Sequence, residues 1–398
     1  MLRTTTRTSY LDGIRGVAAF LVFFHHFLLA FYPAYFTLDK NAVHLPHGLE
    51  ISFGLSPFSI LANGHFYVCI FFVLSGFVLS HKYFHTHSLN VLISGAQRRF
   101  LRLYIPVAFT LILSFILLRA FLYYNVPVRT IAHSEWWFGP FIDYRASIAA
   151  FYRCLAYATM FQGDNTFDTS MWTMAVELYG SLFVFAFLAL TNNTKNRGAM
   201  LCFTLVYCLL TDSENLGAFV LGISLNYFAK NHVANRARYS AWLSLLSFAI
   251  ALGFGSFPYG HDVAGTFYAH LPRGLLAWSR WYHILGGYFL VLSFVISPVL
   301  QRIISRRLFR FFGHISFSLY LLHPLVLSSF SSFLFLQLYS SLGYNKSVTI
   351  VFVSTIGVCV GVSWLMARYI DAPGVKFAAY VYKRFVKAGD EREQALAS

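Results

Sequence analysis

The stretch LDGIRGVAAFLVFFHHFLLAF, residues 11–31, decides the architecture of this chain. As an α-helix its 21 residues would rise ~32 Å, enough to cross the ~30 Å hydrocarbon core of a bilayer. It carries no small-residue cleavage site, so it reads as a span and not as a signal peptide. The rest of the chain is built alike. Of 398 residues, 58% are hydrophobic and only 11% charged, with 44 Phe, 25 Tyr and 7 Trp. A soluble domain carries about 25% charged residues. Less than half of that cannot coat a soluble surface of this size, so soluble, secreted and disordered readings fall away.

Further apolar runs lie at roughly 64–80, 105–124, 172–191, 239–256, 281–300, 313–338 and 347–368. Two shorter ones, 199–211 and 216–229, flank the polar stretch Thr211-Asp212-Ser213-Glu214-Asn215. Read as a hairpin, they bring the total to ten spans and put both termini in the cytoplasm. Lys and Arg then divide 21 to 6 in favour of the cytoplasmic side, with Arg15, Arg119 and Arg153 left inside apolar segments. That is strong positive-inside bias. It also accounts for the excess of 30 basic over 15 acidic residues without nucleic acid. The fold expected is an all-α, multi-pass membrane bundle of about ten helices, spanning residues 1–388 as one domain with a disordered tail at 389–398. The arginine-bearing segment 147–162 is expected to lie at the interface or re-enter on the non-cytoplasmic side, and 88–104 to form a basic surface helix. Five scattered cysteines show no metal or redox spacing. His81, His85 and His87 have no carboxylate or thiolate beside them, so no metal site is expected.

Ionisable groups at membrane depth are costly and by default mark function. Arg15 and His26, eleven residues apart, fall within ~20° of one helix face; His25 points ~80° away from Arg15 and reads as structural. Counted from their ends of the bilayer, His26 lies ~22 Å and Glu177 ~21 Å from the cytoplasmic boundary. A carboxylate at that depth could orient an imidazole and steady its charged form. His323 falls near the midplane with Tyr320 one turn before it and Pro324 after it. Arg98, Arg99 and Arg102 place three guanidinium forks on about one helical turn, a geometry suited to phosphate. Of two glycosylation sequons, only the one at Asn345 falls on the non-cytoplasmic side. Each of these has a plain structural alternative: a bonded core histidine, a bonded core glutamate, or headgroup contacts.

Six segments, in order, carry a resemblance. Tyr10-Leu11-Asp12-Gly13-Ile14-Arg15-Gly16, with His26 following Arg15 after ten intervening residues, is similar to the opening helix of the acyltransferase-3 family of membrane acyltransferases. Phe71-Phe72-Val73-Leu74-Ser75-Gly76-Phe77 resembles its second-helix motif, and Arg98 to Pro106 its basic stretch before the third helix. Trp172-Thr173-Met174-Ala175-Val176-Glu177 resembles its Trp-Ser/Thr-Leu-x-x-Glu segment, with Met174 in place of the usual Leu. Ser318 to Pro324 is similar to its late helix, and Asp371-Ala372-Pro373 to its closing motif, where Glu is common. The aromatic content and the long first loop, 32–63, resemble fungal members.

The resemblance implies transfer of an acyl group, commonly acetyl, from acyl-CoA to a hydroxylated acceptor, here most readily a secondary metabolite (terpenoid or polyketide) and less readily a glycan. It implies His26 as base or acyl carrier with Glu177 orienting it. CoA phosphates would meet Arg98, Arg99 and Arg102, with Arg15 at the mouth, and Tyr320 and His323 would bind the acceptor or the oxyanion. A proton-coupled transporter is the rival reading, since buried His and Glu also build proton relays; it leaves the arginine cluster unexplained. A non-catalytic membrane scaffold is the third.

Overall fold

In a bilayer the backbone can satisfy its polar groups only within itself, and each of the ten apolar runs is helical over most of its described length. The structure, a computed structural model, describes residues 9–138, 147–228, 237–259, 263–264, 266–271 and 278–387. In chain order the helices are α1 (Ser9–Phe31), α2 (Gly64–Thr86), α3 (Leu89–Arg119), α4 (Trp172–Leu190) and α5 (Arg197–Leu210). They continue as α6 (Glu214–Phe228), α7 (Ala237–Gly255), α8 (Trp278–Ile296), α9 (Arg307–Val326) and α10 (Tyr344–Met366). Among the described residues there is no strand. The chain is an all-α, multi-pass integral membrane bundle.

By length and composition six helical stretches can cross a membrane: α1 to α4, α9 continued to Leu342, and α10 continued to Arg384. The pair Arg280–Ile296 and Pro298–Ile304, bent by 100°, makes a seventh if it is one span. The helices α5 and α7 offer shorter apolar stretches. Thr211 to Ser213 separate α5 from α6, as the hairpin reading requires.

Two local expectations change. Residues 88–104 do not form a separate surface helix; they run unbroken into the next run as α3, 31 residues long. Pro106 lies inside it, on the buried face with Leu103, Val107 and Thr110, and although it cannot donate to the Arg102 carbonyl the helix continues through it. At 147–162 a short α-helix, Ile148–Arg153, passes into a π-helix, Cys154–Gln162. It packs on α3 and α4, falls short of spanning length, and ties Arg153 to Asp164 in an ion pair. The tail 389–398 lies outside the described residues.

The pairing of α1 with α9 sets the site. They run parallel and touch backbone to backbone: a methyl group on Gly16 would stand 2.4 Å from the Gly313 nitrogen. One on Gly313 would stand 2.2 Å from the Asp12 carbonyl oxygen. Small residues that permit such approach are how helices gain packing where lipid offers no hydrophobic drive. Ser9 Oγ, at the start of α1, donates to Ser305 Oγ at 3.0 Å, and His26 meets His323 at 2.6 Å toward the other end. The sequence offsets, 296 and 297, are nearly equal, so the two helices stay in register over that length.

Candidate active site

At the arginine-rich end, α1, α2, α3, α4 and α9 enclose a cavity of about 380 Å³. Arg15 from α1, Arg99 and Arg102 from α3, and Arg310 and His314 from α9 line it, together with the acids Asp12, Glu177 and Asp371. Two arginines are partly neutralised: Arg15 lies 3.8 Å from Asp12, and Arg99 lies 3.2 Å from Glu177. Arg102 and Arg310 are exposed, and among the described residues neither has a carboxylate within 4 Å. They are the fixed positive charges at the mouth, separated in sequence by more than 200 residues and joined only by the fold. Arg310 and His314 carried no signal of their own beyond i,i+4 spacing on one helix face.

Glu177 is bound into the cavity wall. Ser75 from α2 donates a short hydrogen bond to its Oε1, and Arg99 pairs with the same oxygen. The other end of the Arg99 fork, Nε, donates to Ser181 Oγ at 2.7 Å, one turn along α4 from Glu177. The pair is largely buried, at 9% and 17% exposure. Glu177 Oε2 is buried with no hydrogen-bond partner among the described residues. The structure thus gives Glu177 to Arg99 and not to His26. Counted depth suggests the dyad, but Glu177 sits nearer the arginine end than His26 does. It bonds Ser75, eleven residues along α2 from Gly64, which packs on His25, and it lines the cavity with Arg15, while His26 turns to His323 on α9.

His26 is part-exposed and faces His323, which is fully buried. His26 Nδ1 lies 2.6 Å from His323 Nε2, and His323 Nδ1 lies 2.9 Å from the Leu319 carbonyl oxygen. The indole of Trp137, from the short helix Glu135–Phe138, lies 5.1 Å from the His26 ring at 29°. His25 turns aside, its Nδ1 held 2.6 Å from the Ala62 carbonyl oxygen and 2.5 Å from the Tyr35 hydroxyl, as a structural histidine would be.

Tyr320 connects cavity and histidine pair. It lines the cavity and packs edge-on against His323 at 6.1 Å, with Phe71 edge-on at 5.9 Å on α2. Its hydroxyl is 3.0 Å from Thr173 Oγ1, placing it at the head of α4. Neither His26 nor His323 lines the cavity itself. Behind Thr173, in the segment leading into α4, Asp168 Oδ1 accepts from the backbone and hydroxyl of Ser170, both at 2.7 Å. Burial raises the Asp168 carboxyl to about 7 against those two hydrogen bonds. Nothing in the sequence separated Asp168 from an ordinary turn aspartate.

Arg98 stands apart from the other arginines. Its Nε donates to the Ser94 carbonyl at 2.8 Å, its guanidinium sits 5.7 Å from the Tyr382 ring, and it does not line the cavity. At the opposite end of α1, Asn345 is exposed but engaged. Tyr32 donates to its Oδ1 at 2.9 Å and its Nδ2 donates to the His44 carbonyl at 3.1 Å. Among the described residues no group of three or more His, Cys, Asp or Glu is arranged to hold a metal ion.

Comparison with known proteins supplies the frame for this geometry. A family model described as an acyltransferase domain matches residues 8–368. The chain is also similar to O-acetyltransferase PaAT-1 of Phomopsis amygdali, at 23% identity over 96% of this chain and 86% of that protein. No solved structure matches the chain.

Proposed function

The chain belongs to the acyltransferase-3 family of membrane acyltransferases, and from that premise we propose that it moves an acyl group, acetyl in the first instance, from acyl-CoA to a hydroxyl of a small-molecule acceptor. The observation that carries the reading is the cavity. Arg102 and Arg310 stand at its mouth with no carboxylate within 4 Å among the described residues, where a donor's phosphates would form charge-assisted bonds. Its walls turn apolar inward, with Val68, Phe71 and Phe72, which suits a pantetheine arm extending toward Tyr320. The similarity to a protein named as an O-acetyltransferase favours acetyl and oxygen as donor group and acceptor atom. The aromatic surroundings of His26, with Trp137 on one side, suit an apolar hydroxylated secondary metabolite better than a glycan.

In this reading His26 takes the proton of the acceptor hydroxyl as that oxygen attacks the thioester carbonyl. The new C–O bond forms a tetrahedral intermediate, which collapses by breaking the C–S bond. The thiolate leaves and takes the proton back from the imidazolium, so no other reactant is needed. Tyr320, standing between cavity and histidine pair, would turn its hydroxyl hydrogen from Thr173 and the Ser170 carbonyl to the developing oxyanion. Glu177 serves to hold Arg99 and Ser75 at the cavity wall.

Titration calorimetry of the detergent-solubilised protein with acetyl-CoA and with dephospho-CoA tests the donor. Micromolar binding of acetyl-CoA that weakens with salt, and weakens in Arg102→Ala and Arg310→Ala, is expected. Absence of binding in the intact protein would overturn the reading in favour of a transporter or a scaffold.

A further inference from the structure

The hydrogens of the His26–His323 pair can be placed by elimination. A backbone carbonyl oxygen can only accept, so the nitrogen 2.9 Å from the Leu319 oxygen, His323 Nδ1, carries a hydrogen. In a neutral imidazole the other nitrogen then holds a lone pair. Neutrality is the economical state, because His323 is fully buried and among the described residues no carboxylate pairs with either ring. His323 Nε2 is therefore an acceptor, and His26 Nδ1, 2.6 Å away, must donate to it. The two rings lie within 14° of a common plane with centroids 4.9 Å apart, as an in-plane N–H···N bond requires. That places the remaining lone pair of His26 on Nε2. Among the described residues no side chain or backbone group bonds to that atom.

We propose that His323 is a positioning residue: by accepting from His26 Nδ1 it fixes the tautomer and plane of that ring and leaves His26 Nε2 as the basic atom of the acyl transfer. The inference rests on the reading of His26 as the base. It replaces the acceptor- or oxyanion-binding role that the resemblance implies for His323, and it supplies the orienting partner that Glu177, held by Arg99, does not. A neutral imidazole backed by a carbonyl does here the part that a carboxylate plays in other base dyads: it forbids the wrong tautomer, whose cost in such systems is large. The arrangement is built into the fold. His26 and His323 each follow a crossing glycine, Gly16 and Gly313, by ten residues, so the backbone contact sets the register of the imidazoles.

Two variants and one spectrum test this. In His323→Gln the side-chain carbonyl can stand where Nε2 stood and accept the same hydrogen; in His323→Phe nothing can. The purified glutamine variant should keep kcat within about tenfold of wild type, and the phenylalanine variant should lose ~10²–10⁴-fold, the scale of a disabled base. The KM for acetyl-CoA should stay nearly constant in both. Solid-state NMR of protein labelled with 15N at histidine, with the His26 signals assigned by difference from His26→Gln, should show a protonated Nδ1 and a bare Nε2 in wild type. Equal losses of kcat in the two variants would overturn the proposal, as would a wild-type spectrum with the hydrogen on His26 Nε2. The spectrum needs no substrate and no folded variant at position 323, so it decides the tautomer even if acyl transfer by the wild type fails and the functional reading falls.

Discussion

Replacing Gly16 by alanine should cost activity as well as stability. The added methyl group would lie 2.4 Å from the Gly313 nitrogen, 2.7 Å from the Phe312 carbonyl carbon and 2.8 Å from the Phe309 carbonyl oxygen. All three are backbone atoms that no side-chain rotation can move. Restoring an ordinary contact of about 3.5 Å requires α1 and α9 to part by about 1 Å. The His26–His323 bond sits ten residues on, ~15 Å along the same pair of helices. Carried over as a translation, that parting stretches the 2.6 Å bond to about 3.7 Å, beyond hydrogen-bond length. Overpacking costs about 1–3 kcal/mol, offset by up to about 1 kcal/mol from replacing glycine in a helix. The net loss of stability is thus at most about 3 kcal/mol. A misplacement of about 1 Å at a reacting group, by contrast, can lower the rate ~10²-fold. Acetyl transfer and thermal unfolding measured on the same detergent-purified samples separate the two effects. Gly357→Ala and Gly361→Ala on α10, where an added methyl meets nothing within 4 Å, are the controls and should leave both quantities near wild type. A Gly16→Ala protein with unchanged kcat would refute the claim that this crossing holds the histidine pair together.

Glu177→Gln should destabilise by about 3–5 kcal/mol, because it strands the buried Arg99 guanidinium without its counter-charge. The double variant Glu177→Gln with Arg99→Met should recover much of that stability in a melting assay while acyl transfer stays low; additive losses would contradict the pairing. Asp168 should make folding sensitive to pH. Its folded carboxyl is raised to about 7 by burial while the unfolded one titrates near the usual aspartate value of about 4. The sign follows from linkage: stability is fully present below about pH 4 and declines as pH rises toward 7. Asp168→Asn, which keeps the acceptor for Ser170 and cannot ionise, should flatten the melting temperature across that window. An unchanged slope would show that the carboxyl is not buried as described.

What the sequence made legible follows from what one-dimensional patterns encode. Run length and charge scarcity mark helices in lipid, and the ten apolar stretches all became helices. Separation along one helix is also countable, so Arg15 and His26 stand apart on α1, Arg15 in the cavity wall and His26 beyond it. Azimuth between helices is not countable. Glu177 and His26 face different neighbours, and Glu177 lies beside Ser75 at the level of Arg15, so the counted depth could not make them partners. The arginine cluster shows the same limit: Arg98 is ~100° round the helix from Arg99, enough to turn it from the cavity toward Tyr382. Arg310 and His314 needed the crossing of α9 on α1 to reach the site. One signal was present and easily passed over. Gly16 to His26 and Gly313 to His323 have identical spacing, and two helices that touch at their glycines bring the histidines together if they run parallel.

The central claim, that His26 is the base of an acyl-CoA-dependent transfer, is tested most directly with purified His26→Ala protein and acetyl-CoA radiolabelled in the acetyl group. The account predicts that the variant still binds acetyl-CoA at the arginine-lined cavity, yet transfers label to hydroxyl acceptors ~10²–10⁴-fold more slowly than wild type. Transfer at the wild-type rate would contradict it.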